Sequence, residues 1–99
     1  MSDDCQIFVP PSFVALFVAP GRIKPTASRE HIAERYELCE DLAQMLLETA
    51  RTQRWSLGIT TADTLERIAR GLPVSGLDLS EAEIGWVMTR LAELLGPGN

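Results

Sequence analysis

Apolar side chains recur every three or four positions over residues 28–57, and polar side chains fill the positions between them. At 100° per residue one face collects only apolar or weakly polar side chains, and this spacing predicts a single long amphipathic helix over 28–57. Gly58 follows as a C-terminal stop signal. The members of the apolar face are Ile32, Tyr36, Cys39, Leu42, Ala43, Leu46 and Ala50.

Two shorter helices are predicted in the C-terminal third. Thr60 precedes the first of them, over 61–71, as a capping residue for the backbone N–H groups of the first turn. Ser80 and Glu83 form the spacing of a capping box at the start of the second, over 81–95. Both helices carry apolar side chains at helical spacing and end near glycine, as amphipathic helices of a small bundle do.

The N-terminal region holds a short apolar element over residues 7–20, which Pro20-Gly21 ends. Periodicity over so few residues leaves a buried strand as an alternative, but Pro11 suits a first turn and favours a helix over Phe13–Val18. Residues 1–6 are predicted to be disordered. Together the elements predict an all-α fold in one domain, 1–99: a small helical bundle with one long central helix.

Composition narrows the classes of function. A chain of 99 residues that is 45% apolar has enough apolar surface to fold, and its formal charge of −5 disfavours nucleic-acid binding, which depends on basic residues. A helix-turn-helix regulator built from 61–71 and 81–95 stays an alternative that this charge opposes. Asp3 and Asp4 precede the apolar element where a secretory signal would need positive charge, and no apolar run is long enough to cross a membrane. We therefore expect a cytoplasmic protein.

Catalytic and cofactor motifs are missing from the sequence. There is no phosphate-binding loop, no nucleophile paired with a base and no recognisable cofactor motif, so an enzymatic activity is disfavoured. His31 and Glu34 stand three positions apart and are weak candidates for a metal site, which two copies would have to complete across a dimer interface. Cys39 falls on the apolar helix face and is expected to pack as a small apolar residue. Cys5 is the more accessible thiol by position.

A line of acidic residues follows the polar side of the long helix. A solvated helix face explains it, and an acidic strip that docks a basic partner is the functional alternative. The acidic strip consists of Glu30, Glu34, Glu37, Asp41 and Glu48.

Two groups of apolar residues exceed what three helices need for their core. Trp86 lies among polar neighbours on the last helix, as tryptophans at interfaces do, and the alternative is that the N-terminal element of the same chain covers it. The N-terminal element either completes the core of its own chain or docks on a second chain. We therefore predict an interaction or adaptor protein that forms a homodimer and binds a further, unknown protein. Besides Trp86, the candidate partner-binding residues are Phe8, Phe13, Leu16 and Phe17.

Five segments, which together extend over most of the chain, carry a resemblance to a known family. The stretches 10–17, 20–26 and 35–43, with the Gly58-Ile59-Thr60 turn and the end of the last helix, resemble a family of small uncharacterised proteobacterial proteins. Some members of that family are labelled as ATPases with chaperone activity. This chain lacks the phosphate-binding loop that such an activity uses, so the resemblance implies no catalytic residue here.

Overall fold

Helices make up most of the described part of the chain, residues 8–96 of a computed structural model. No strand forms within these residues, and the all-α fold class predicted from the sequence is confirmed: a long helix packs with shorter C-terminal helices in a small bundle. The helices are α1 (Pro11–Val14), α2 (Arg29–Leu57), α3 (Thr61–Gly71) and α4 (Glu81–Leu95), with 3₁₀ turns at Ala15–Phe17 and Leu72–Val74.

The sequence predicts one domain. The chain divides into two compact units, residues 1–38 and 39–99. In the described residues the first unit holds α1, the loop that follows it and the first turns of α2. The second unit holds the rest of α2 together with α3 and α4. The predictions made for residues 1–6, for the first position of the 7–20 element and for Cys5 lie outside the described residues.

The N-terminal element begins as a helix at Pro11, which the sequence favours as a first-turn residue, and it ends before the predicted Val18. Pro11 occupies the first turn, where its missing N–H leaves no hydrogen bond unmade, and α1 runs only to Val14 before tightening into a 3₁₀ turn. Val18 is extended rather than helical, and it forms an isolated antiparallel bridge with Pro25. The predicted helix over Phe13–Val18 is therefore two short turns that start at Pro11 and end at Phe17.

Local signals fix both ends of α2. The Ser28 hydroxyl accepts a hydrogen bond from the backbone N–H of His31 at 3.1 Å, as an N-cap residue does. Gly58 adopts a positive φ of 65°, and its N–H donates to the carbonyl oxygen of Arg54 at 2.9 Å. The observed Arg29–Leu57 thus lies within one residue of the predicted 28–57, and the helix is about 43 Å long.

The shorter helices begin at the capping residues predicted for them. The Thr60 hydroxyl accepts from the N–H of Asp63 at 3.0 Å. At α4 the Ser80 hydroxyl accepts from the N–H of Glu83 at 3.0 Å, while the Glu83 carboxylate accepts from the N–H of Ser80 at 2.9 Å. Glu83 is almost completely buried, and the capping box gives its buried carboxylate a hydrogen-bond donor in the backbone N–H of Ser80.

Apolar faces of the helices supply the buried side chains. In the first unit these are Phe13 and Ile32. In the second unit the buried apolar residues come from α2, α3, the turn after α3 and α4, so the three helices share one core. Its members are Cys39, Leu42, Ala43, Ala50, Ile68, Leu72, Val87 and Leu91.

Candidate interaction surfaces

The N-terminal aromatic residues differ in exposure. Phe13 is fully buried, and its ring lies 5.6 Å from the ring of Phe17 and 5.6 Å, edge to face, from that of Tyr36. Leu16 and Phe17 are half-buried, whereas Phe8 is 78% exposed. Phe13 is thus a core residue, the first of the two alternatives that the sequence leaves open for this element. Phe8 is the exposed aromatic side chain of the set.

Trp86 lies on α4 and is half-buried. The polar residues that the sequence places around it are engaged within the second unit, since Glu83 belongs to the capping box and Arg90 pairs with carboxylates. Two of the polar neighbours of Trp86 on α4 are therefore held by hydrogen bonds and ion pairs within the second unit.

Arg90 joins α4 to α2 through Glu40, a residue that the sequence analysis does not single out. The guanidinium of Arg90 donates from Nε to Oε1 at 2.9 Å and from Nη2 to Oε2 at 3.0 Å, the two-pronged geometry that suits a carboxylate. The Arg90 hydrogen bonds hold the pKa of Glu40 below its usual range, although partial burial opposes them. Arg90 also contacts Glu93 at 3.5 Å, so the only basic residue in α4 pairs with two carboxylates.

The exposed side of α2 carries the acidic strip. All five of its members, Glu30, Glu34, Glu37, Asp41 and Glu48, are exposed. Two large apolar side chains of α2 are exposed as well: Met45 is 62% exposed and Trp55 is 89% exposed. Trp55 follows Glu37 by 18 residues, which is about five full helical turns, so periodicity places it in line with the strip. The face of α2 is therefore both acidic and apolar.

Neither weak metal candidate joins a cluster of ligands. His31 is exposed, and its ring packs edge to face on Phe17 at 5.9 Å. Glu34 is exposed one turn further along α2. Within residues 8–96 no three His, Cys, Asp or Glu side chains come close enough together to hold a metal ion. Cys39 is buried on the apolar face of α2, as its position predicts.

A short loop in the first unit exposes a large apolar side chain. Pro20 and Gly21 form its turn, in which the N–H of Arg22 donates to the carbonyl oxygen of Ala19 at 3.0 Å and Gly21 has a φ of 78°. A positive φ at the third position is what a type II turn requires, and glycine adopts it without strain. Beyond the turn, Ile23 is 92% exposed.

Comparisons with protein families, with curated proteins and with solved structures find no match for this chain. Among the helices of residues 8–96, none combines the length and the apolar character that crossing a membrane requires.

Proposed function

We propose that this protein is a non-catalytic protein–protein interaction module of the cytoplasm that forms a homodimer and acts as an adaptor. The observation that carries the proposal is the exposure of Trp55, 89% of whose surface faces outward near the end of α2. Tryptophan is strongly buried on average, and it is enriched among the residues that dominate protein interfaces. An exposed tryptophan on an ordered helix is therefore a natural contact for a second chain.

Other exposed apolar residues support the same proposal. Large apolar side chains face outward in both units, including Phe8 at the start of the described chain, Ile23 in the loop and Val74 after α3. Single exposed apolar residues are normal on a monomer, and each of these large side chains is also an apolar contact that a second chain can cover. The partner that is always available in solution is a second copy of the same chain.

Fluorescence of the two tryptophans provides the test. In the Trp86→Phe variant the only indole is Trp55, and in the Trp55→Phe variant the only indole is Trp86. We expect the emission of Trp55 to shift to longer wavelength as the protein is diluted through dissociation of the dimer, because its ring then returns to water. The emission of Trp86 serves as the matched control, since this ring is already half-buried within one chain.

Substitution of Trp55 by alanine measures how much this side chain contributes to the affinity of the homodimer. Truncation of an interface tryptophan commonly lowers binding free energy by about 2 kcal/mol or more, which is about 30-fold in Kd. We expect Trp55→Ala to weaken dimerisation by at least that factor while the far-ultraviolet circular dichroism stays unchanged. A Trp55→Ala protein that dimerises like the wild type, together with Trp55 emission that does not depend on concentration, would refute Trp55 as the contact.

A further inference from the structure

The loop after α1 is a fixed structure that points an apolar side chain outward. Its two ends are joined, since Thr26 donates to the carbonyl oxygen of Phe17 from its N–H at 2.7 Å and from its hydroxyl at 3.0 Å. Next to this contact, one residue closer to the tip of the loop, Val18 and Pro25 form an antiparallel bridge. Ile23 at the far side of this closed loop is therefore held away from the body of its unit.

Two cations flank that apolar tip. Arg22 and Lys24 precede and follow Ile23 directly, and all three side chains are exposed. No acidic residue occurs in the sequence between positions 18 and 28, so the loop carries a local charge of +2 within a chain whose net charge is −5. A tip of this kind suits a surface that combines apolar side chains with carboxylates.

The exposed face of α2 in the second unit has that complementary chemistry. Asp41, Met45, Glu48 and Trp55 follow one another at spacings of four, three and seven residues, which places them along one side of the helix. All four are exposed, and two carboxylates about 10 Å apart along the axis lie on either side of Met45. Arg51 contacts Glu48 at 3.6 Å, but both side chains are more than half exposed, so solvent screens the pair.

We propose that the Arg22-Ile23-Lys24 loop of one copy docks on the Asp41–Trp55 face of α2 in a second copy. Ile23 contacts Met45, whose unbranched side chain adapts to an irregular neighbour. Arg22 and Lys24 pair with Asp41 and Glu48.

Two-fold symmetry makes the contact reciprocal. In a two-fold dimer the loop of each chain meets the helix face of the other, so one interface contains the contact twice. The inference rests on the proposed homodimer, and it adds which two surfaces of the chain meet. Both surfaces are exposed in the single chain, as a docking contact between copies requires.

Charge reversal separates the two surfaces experimentally. The loop variant is Arg22→Glu with Lys24→Glu, and the face variant is Asp41→Lys with Glu48→Lys. In a homodimer of either variant, loop and helix face carry charges of the same sign at both contacts. We therefore expect its homodimer Kd to rise at least tenfold at low salt. An equimolar mixture restores opposite charges at both contacts. We therefore expect a heterodimer of near wild-type affinity, which native mass spectrometry resolves by mass.

A matched variant controls for net charge. Glu66→Lys with Glu81→Lys changes the net charge by +4, as the face variant does, at exposed positions of α3 and α4, and we expect it to dimerise like the wild type. Circular dichroism checks that each variant is folded. Ile23→Ser provides a test without any change of charge, and it too is expected to weaken the dimer.

The outcomes separate this inference from the proposed function. A wild type that dimerises while both charge variants and Ile23→Ser dimerise equally well would overturn the loop-to-helix contact and leave the homodimer standing. A wild type that stays monomeric would overturn both. Binding of the wild-type protein to anionic lipid vesicles without any dimer in solution would also contradict the inference, because the cations of the loop would then serve a membrane surface.

Discussion

The ion pair between Glu40 and Arg90 offers the sharpest test of how α2 and α4 are held together. The two side chains are 19% and 33% exposed, and their contacts at 2.9 and 3.0 Å are charge-assisted. Charge-assisted hydrogen bonds contribute about 1.5–3 kcal/mol when shielded from water, whereas exposed pairs contribute about 0.2–1 kcal/mol. For a pair of intermediate exposure we expect a coupling of about 1–2 kcal/mol in the free energy of unfolding.

A double-mutant cycle measures this coupling. The variants are Glu40→Ala, Arg90→Ala and the double substitution, each unfolded by urea at one fixed protein concentration and followed by circular dichroism. For a domain of this size each kcal/mol corresponds to about 4–8 °C in Tm, so thermal unfolding resolves the effect as well.

The chain contains its own control for that cycle. Glu48 and Arg51 lie one turn apart on α2 at 3.6 Å, and their side chains are 79% and 58% exposed. We expect a coupling of no more than about 0.5 kcal/mol for this exposed pair. If the coupling between Glu40 and Arg90 were no larger than that of the control pair, the reasoning that partial burial and two-pronged geometry strengthen the contact would be refuted.

Three further predictions concern stability. Because the folded pKa of Glu40 lies below its unfolded value, the contribution of this pair is present above about pH 4.3 and is lost as the pH falls through the folded pKa. The difference in unfolding free energy between wild type and Glu40→Gln should therefore shrink in acid, and a constant difference would contradict this assignment. Phe13→Ala removes a fully buried ring and should destabilise the fold by about 3–5 kcal/mol, whereas Phe8→Ala should change it by less than about 0.5 kcal/mol. Ser80→Ala removes half of the capping box and should lower stability by about 1 kcal/mol in urea unfolding, with exposed Ser56→Ala as a control that has little effect.

Helix boundaries are the part of the fold that the sequence predicts most closely. Capping hydrogen bonds join residues three positions apart, as between Thr60 and Asp63 or Ser80 and Glu83, so a short stretch of sequence contains the whole signal. The long apolar repeat of α2 adds many turns of consistent spacing. Neither signal depends on how distant parts of the chain pack.

The N-terminal element shows where local signals are insufficient. Pro11 marks the start of a helix, but the end of that helix depends on the pairing of Val18 with Pro25 across a loop. The last positions of the predicted helix form a 3₁₀ turn and an extended residue instead. The result is a closed loop, and the exposure of Ile23 follows from this geometry rather than from its sequence neighbours.

The surfaces were predicted less completely than the helices. Glu40 and Arg90 are 50 positions apart, so no local pattern joins them, although both border the apolar faces of their helices. Trp86 and Trp55 differ in exposure, although both lie among polar neighbours in a helical projection. Trp86 is half-buried, whereas Trp55, which lies in line with the acidic strip, is 89% exposed.

The most direct test of the central claim is the mass of the wild-type protein in solution. Sedimentation equilibrium over a wide range of protein concentration, at low salt, reports whether a chain of 10.9 kDa associates with itself. The proposed interaction module predicts a reversible increase to twice the chain mass. A single species at the mass of one chain at every concentration would contradict it.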